Sequence, residues 1–295
     1  MIEFRPIELK DKEWIEKCLL EGNSPSCEYT FVNNFIWSKQ YQLEIANFHG
    51  FYCSRSGKGE ETFYSYPAGK GEMEYVIDCL KEDAKEHNIP FVLRGMIKEQ
   101  VDYLNELYPN QFEIEANRDE AEYLYTVEKL SKLAGKKLHG KRNHIARFKD
   151  NDDWSFEEIT EDNFEECLKM NDEWCEQYDC IDDPSLNHEL CAVKEAFANY
   201  KELGLIGGLI RREGKVIAYT IGSKINDETF DIHIEKAFAN IQGAYPMINQ
   251  QFVLHKCQEY QYINREEDLG DEGLRKAKMS YYPDILLEKY TARLL

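Results

Sequence analysis

The chain has 295 residues, 42% hydrophobic and 13% aromatic, with 8 Pro and 17 Gly, a globular composition without a disordered or low-complexity tract. Its formal charge of -20 excludes a surface built throughout for nucleic acid or membrane. No charge-free apolar run approaches the ~20 residues of a membrane span, and MIEFRPIELKDKEW lacks a signal-peptide apolar core, so a cytoplasmic protein without integral membrane association is expected.

IEFRPIEL reads as a strand, followed by a helix over about 11–20 with Asp11 as N-cap and Trp14, Ile15, Cys18 and Leu19 on one face. The aromatic run 29–37, ending on Trp37, reads either as the lining of a binding pocket or as core packing. Short strands are predicted near 41–48, 50–54 and 61–66, then a helix over 71–87 with Met73, Val76, Ile77, Leu80 and Ala84 at helical spacing. A strand at 89–94, a helix at 97–108 and strands at 111–116 and 121–127 complete a mixed sheet of short strands.

Between Lys129 and Lys149 stand eight Lys/Arg and no Asp or Glu, while the other 274 residues hold 28 basic and 56 acidic side chains. Charge segregated this sharply needs a reason, because dispersed lysines solubilise equally well. A helical register from about Ser131 sets Lys137, Lys141 and His144 near one side, with Leu138, Ile145 and Phe148 nearer another. Such a helix offers Lys137, Lys141, Arg142, Asn143 and Arg147 to the phosphates of an anionic ligand. The plainer reading is a basic linker neutralised by the acidic body.

The second half repeats the style. WSFEEIT is strand-like, and Thr160 caps a helix with Phe164, Cys167, Leu168, Asn171 and Trp174, its capping box incomplete because Asn163 stands where Glu or Gln belongs. A helix over 186–203 follows, with Leu190, Val193, Ala196, Phe197 and Tyr200 along a stripe. Strands at 204–212 and 216–225 form a hairpin turning at Glu213-Gly214. A strand at 229–237, a helix at 243–259, a strand at 260–266, a Gly/Asp loop, a helical LRKAKMSYY and a strand near 285–290 close the chain. Nine cysteines without a CxxC pair argue against a disulfide framework, and no spacing supports a metal site.

Candidate chemistry gathers in three places. YINREEDLG leaves a strand for a Gly/Asp turn, which puts Asn264, Arg265, Glu266, Glu267 and Asp268 where ligands collect. There Glu267 or Asp268 suits a general base and Arg265 a carboxylate or phosphate; a solvated turn is the alternative. Asp231, His233 and Glu235 alternate in one strand and share a face, where the carboxylates would favour the imidazolium, or where all three form a satisfied network. Tyr281, after the Lys-rich Arg275–Lys278 stretch, either protonates a leaving group or packs a helix.

The strings KKLHGKRNHIARF (136–148), IEKAFANIQGAYPMINQQF (234–252) and YINREEDLGDEGLRKAKMSYYP (262–283) resemble the C-terminal catalytic domain of bacterial phosphatidylglycerol lysyltransferases and their soluble relatives, over essentially the whole chain. The resemblance implies an α+β fold of tandem GNAT-like (acyl-CoA N-acyltransferase) domains, each a mixed, mainly antiparallel sheet flanked by helices. The expected division is 1–130, a basic segment 131–150, and a catalytic domain 151–295. It implies an acyl- or aminoacyltransferase with an aminoacyl-tRNA or acyl-CoA donor, no tightly bound cofactor, tRNA as partner and a small-molecule or peptide acceptor carrying an amine or hydroxyl. The membrane-bound lysyltransferases carry a transmembrane region that this sequence does not show, so a lipid acceptor is not carried over.

The catalytic candidates are then Glu267, Asp268, Asp231, His233 and Tyr281. The donor-binding candidates are Lys137, Lys141, Arg142, Asn143, Arg147, Gln242, Gly243, Asn264, Arg265 and Lys278. Gln242-Gly243-Ala244 offers backbone N–H groups at a helix start. Asn240 and Tyr245 nevertheless depart from the Q/R-x-x-G-x-G/A loop of ordinary acetyltransferases, which favours a donor other than acetyl-CoA. Two competing readings are an acetyl-CoA-dependent N-acetyltransferase and a non-catalytic protein gripping RNA or another anionic ligand.

Overall fold

A computed structural model of the chain describes residues 2–150, 153–178, 180 and 182–295. The first strand is only Arg5–Pro6 (β1), not the whole of 2–9, because Leu9–Asp11 forms a 3-10 turn that leads into helix α1, Lys12–Gly22. Asp11 precedes α1 but its side chain does not cap it. The carboxylate instead accepts from the Arg5 guanidinium at 2.5 and 2.8 Å and from the Trp14 indole at 3.0 Å. The aromatic run is helical, Phe31–Ile36 (α2) and Ser38–Tyr41 (α3), with Thr30 accepting from the Asn33 amide at the N-cap. Phe31, Val32 and Ile36 are buried and pack core, while Trp37 is half-buried.

Next come β2 (Glu44–Phe48), β3 (Phe51–Ser56), β4 (Phe63–Ser65), β5 (Ala68–Gly69), α4 (Met73–Glu86), β6 (Val92–Met96) and α5 (Lys98–Leu107). Strand β7 runs unbroken over Phe112–Thr126 where two strands were expected. Its polar stretch Asn117–Glu120 stays extended, with Glu120 accepting from Arg94 at 2.7 Å.

The basic island is not one helix. Helix α6 (Val127–Lys132) ends because Leu133 turns left-handed, and α7 begins only at His139 and runs to Lys149. Arg142 closes the break by donating to the carbonyls of Leu133 and Gly135, the latter at 2.7 Å. After β8 (Trp154–Glu158), the Asn163 side-chain oxygen accepts from the Thr160 amide at 2.9 Å, the half of a capping box that a Glu or Gln oxygen would supply.

Helices α8 (Phe164–Gln177), α9 (Pro184–Ala198) and α10 (Tyr200–Leu203) follow, the expected single helix over 186–203 being interrupted at Asn199. Strands β9 (Ile206–Arg212) and β10 (Lys215–Lys224) meet at Glu213-Gly214, both at positive φ (50° and 76°), the primed turn that suits a two-residue hairpin. Then come β11 (Thr229–Ala237), α11 (Ala244–Lys256), β12 (Tyr262–Asn264), α12 (Glu272–Met279) and β13 (Ile285–Leu294).

The chain folds as two compact units that do not coincide with the linear division at 131–150. The first holds the chain up to Tyr123 together with Glu266–Lys276 and Ile285–Leu295, so the terminal strand belongs to it. Its sheet has the order β1-β2-β3-β4-β6-β13-β7, in which β1–β2, β2–β3, β3–β4 and β6–β13 are antiparallel and β4–β6 is parallel. Phe51, Tyr64, Ile77, Leu80, Leu93 and Leu104 lie in its core.

The second unit is Leu124–Arg265 with Ala277–Asp284. Here Leu124–Thr126 pair with β12, and the order continues β11-β10-β9-β8, with β11 and β12 parallel and the other pairs antiparallel. Strand β10 is buried from Val216 to Ser223, with α8 and α11 packed against it, so alternation of exposed and buried residues disappears there. Each unit is thus α+β, a mixed and largely antiparallel sheet flanked by helices.

Candidate functional site

Strands β11 and β12 pair for three residues only, Thr229–Asp231 against Tyr262–Asn264. Beyond that point β11 runs on to Ala237 while β12 stops, so the carboxyl ends of two parallel strands part company, the usual place for a ligand in such sheets. Arg265, the residue after β12, donates to Glu235 Oε1 at 2.7 Å, and Asn249 on α11 donates to the other Glu235 oxygen at 2.9 Å. The Glu235 and Arg265 side chains are only 8% and 13% exposed. The Arg265 guanidinium lies 5.0 Å from the Tyr281 ring centre and 5.8 Å from that of Tyr125, and the Lys141 ammonium lies 3.9 Å from the Tyr281 ring.

These neighbours set the protonation states. Burial works against the Arg265 charge, but Glu235 and the two phenols outweigh it and hold the guanidinium firmly protonated. Burial, helped by repulsion from Arg265, pushes Lys141 down to about 8, with Glu235 in partial opposition. Burial also raises Tyr281, which keeps its proton. Two atoms of the group are buried without a hydrogen-bond partner: Arg265 Nη1, a donor, and Asn249 Oδ1, an acceptor. The structure therefore brings together Lys141, Arg265, Glu235 and Tyr281, with Asn249 and Tyr125 added. Asn249 carried no sequence signal, because its role depends on the face that α11 turns to the sheet.

On the same strand, Asp231, His233 and Ser223 of β10 form a line. Ser223 Oγ is 2.8 Å from His233 Nε2, and Asp231 Oδ2 is 3.4 Å from Nδ1. The order resembles nucleophile, base and orienting carboxylate. Both side chains are wholly inaccessible, and burial pushes His233 down to about 3, against the imidazolium that the neighbouring carboxylates were expected to favour.

The remaining donor candidates are scattered by role. Arg142 closes the α6–α7 break, Asn143 is exposed with its amide 3.1 Å from His139, and Arg147 is exposed. Lys137 is exposed over the Tyr282 ring at 4.9 Å. Asn264 is buried in register with Asp231, and Lys278 is buried with its carbonyl accepting from the Tyr125 hydroxyl at 2.7 Å.

Gln242 stands 3.4 Å from His144, and Gly243 is left-handed at φ 87°. A Cβ on Gly243 would meet the His144 carbonyl at 2.5 Å, so the space that a phosphate-cradling glycine leaves open is filled by α7, which corrects the cradle reading. Gly243→Ala is expected to cost roughly 1–3 kcal/mol, read as a lower urea midpoint, from left-handed strain plus that clash.

Glu267 and Asp268 belong to the first unit. Burial works to raise Asp268, but Arg275, Tyr123 and the Gly270 amide outweigh it and hold the carboxylate at about 2. Arg275 donates to it at 2.6 and 3.0 Å, with Arg118 at 3.4 Å. A carboxylate so engaged is a poor base, and the base reading of Asp268 is corrected to a structural acceptor.

Glu267 lies near a buried ionic group that sequence reasoning missed. Lys289, with a side chain 0% exposed, donates to Ser26 Oγ at 2.6 Å and is paired with Glu28 and with the equally inaccessible Glu122. Burial, with Glu28 and Glu267 nearby, pushes Glu122 up to about 7 against the pull of Lys289. Cys27 lies 3.7 Å from Glu267 and 3.4 Å from Glu122, and burial followed by these carboxylates raises its thiol far out of the nucleophilic range. Cys27, Glu28 and Glu122 converge as metal ligands would, but the Lys289 ammonium already supplies the cation, so the group does not fit a metal site.

With this geometry in hand, comparison with known proteins defines the class: an α+β protein of the kind found in lysyl-lipid synthases. The chain belongs to the family described as phosphatidylglycerol lysyltransferase, C-terminal, which matches residues 22–293. It is similar over 100% of both chains to a crystal structure of a conserved protein of unknown function from Bacteroides thetaiotaomicron, 38% identical with a TM-score of 0.96. The structure of L-PGS from Bacillus licheniformis shares the fold, with 15% identity and a TM-score of 0.68 over 100% of this chain and 94% of that one. An uncharacterised protein of Mycoplasmoides gallisepticum is 21% identical over 220 residues, 69% of this chain and 70% of that protein. Among the described residues no helix is long and apolar enough to cross a membrane.

Proposed function

We propose that the chain is an aminoacyltransferase, moving an aminoacyl group from aminoacyl-tRNA to an amine or hydroxyl acceptor at the Glu235–Arg265–Tyr281 group. One observation carries the reading. Arg265 Nη1 is buried without a partner beside Lys141, so two cations share one carboxylate, and a charge and a donor remain for a phosphate or a developing oxyanion. Family membership supports acyl transfer as the chemistry, and the filled space over Gly243 argues against a CoA diphosphate cradle. The reading of the chain as tandem GNAT-like halves goes with it, supported by the β-α-α-α-β-β-β-α-β order from β8 to β12 in the second unit.

In this mechanism the acceptor attacks the ester carbonyl carbon, and Arg265 faces the oxygen that gains charge. Tyr281, held protonated by burial, gives its proton to the departing ribose oxygen and takes one from the attacking group. Lys141 holds a donor phosphate as a cation. Asp231, His233 and Glu267 have no assigned step in this scheme.

The test is transfer of labelled amino acid from charged tRNA to amine and hydroxyl acceptors by the purified chain. Turnover with acetyl-CoA and none with charged tRNA would favour the acetyltransferase reading. RNA binding without transfer, surviving neutral substitution of Glu267 and Asp268, would favour the binding protein. A pH signature follows from Lys141. The cation is the binding form, so kcat/KM for the donor falls as pH rises through about 8, and Lys141→Arg moves that limb upward. A profile that is flat there and unmoved by Lys141→Arg would remove Lys141 from donor binding.

A further inference from the structure

Helix α8 ends in a closure that brings two thiols together. The amides of Tyr178 and Cys180 both donate to the Cys175 carbonyl, at 3.3 and 3.2 Å. The bond from Cys180 folds the chain back over the last turn of the helix, which ends at Gln177, and brings two side chains close to each other. Those side chains are Cys175 and Cys180, and the Cys175 thiol is hydrogen-bonded to Cys180. Cys180 is buried and Cys175 is half-buried, so Cys175 is the more exposed member of the pair. Trp174, next to Cys175, lies 3.6 Å beneath the Lys236 ammonium, which is bonded to Glu189 of α9 at 2.6 Å.

We propose that Cys175 and Cys180 form a reversible oxidative modification site, closing to an intramolecular disulfide under a two-electron oxidant such as hydrogen peroxide. One sulfur attacks a peroxide oxygen, becoming a sulfenic acid and releasing water. The second displaces the sulfenic oxygen as another water, forming the S–S bond, so two thiols and one peroxide give one disulfide and two waters. Contact with a resolving thiol is what diverts the sulfenic acid from further oxidation. Burial and the Cys180 partner push Cys175 up to about 12, with Lys236 in partial opposition, so closure is slow near neutrality and accelerates with alkalinity.

The test is peroxide treatment of the full chain, alkylation of remaining thiols and peptide mass spectrometry. The expected result is loss of two hydrogens across Cys175 and Cys180, with the exposed Cys191 not joined to either, and full reversal by dithiothreitol. Cys175→Ser abolishes the link, while Cys191→Ser leaves it intact. Independent alkylation or over-oxidation of Cys175 and Cys180 in the folded chain, or a link from either to Cys191, would overturn the proposal. The wild-type experiment decides it even if Cys175→Ser fails to fold.

Discussion

Lys289→Met is expected to destabilise the protein by about 3–5 kcal/mol, seen as a lower urea midpoint with an unchanged slope. Methionine nearly fills the volume of the lysine stem, so a cavity is not the cause. The loss comes from stranding Glu122, which is wholly inaccessible, and Glu28 with no cation between them. Adding Glu122→Gln should return a large part of the loss, because removing both partners is far less costly than removing one.

The same group gives a pH dependence. Glu122 is raised from 4.5 to about 7, so the folded state binds its proton more tightly than the unfolded one. Stability therefore falls as pH rises from about 4.5 to 7, and Glu122→Gln removes that slope. His233 acts in the opposite sense, lowered from 6.5 to about 3, so its contribution is lost as pH falls through that window. Comparing Glu122→Gln with wild type across the range separates the two. A Lys289→Met cost below ~1 kcal/mol would place the group among weak, solvated pairs.

What was legible in the sequence was local. The Glu213-Gly214 turn, the period-two line of Asp231, His233 and Glu235, and the strand-to-loop change at Asn264 each depend on residues within one element. The bond from the Thr160 amide to Asn163 was within reach, since an amide oxygen accepts as a Glu or Gln oxygen does. The break after Lys132 was also written locally, in the Ala134-Gly135 that follows the left-handed Leu133.

Partnership across the chain was not legible. Asp268 looked like a base because Arg275 lies on the following helix and Arg118 is 150 residues away. Lys289 looked like an ordinary polar residue of a terminal strand, because nothing near it names Glu28 or Glu122. The Arg265–Glu235 pair needed the parallel register of β11 and β12, which three residues of pairing establish and no local pattern encodes.

Arg265 is where that long-range geometry makes its sharpest demand on activity. Arg265→Ala is expected to lower kcat/KM for transfer by roughly 10²–10³-fold, the usual cost of removing a donor aimed at developing charge. Alanine also leaves Glu235, 8% exposed, with Asn249 as its remaining bonded partner, so stability should fall as well. Activity loss alone would then be ambiguous, and two further variants resolve it. Arg265→Ala with Glu235→Gln relieves the stranded carboxylate and should recover stability without recovering transfer. Arg265→Lys keeps the positive charge but loses the planar fork that serves Glu235 with one nitrogen and leaves Nη1 for a ligand. It should stay folded yet remain deficient chiefly in kcat, because the missing interaction strengthens only as charge builds on the carbonyl oxygen. If Arg265→Lys transfers at the wild-type rate, any nearby cation suffices and the guanidinium is only a packing partner for Glu235 and Tyr281. If Arg265→Ala with Glu235→Gln regains both stability and transfer, Arg265 has no part in the chemistry and the transfer centre must lie elsewhere in the chain.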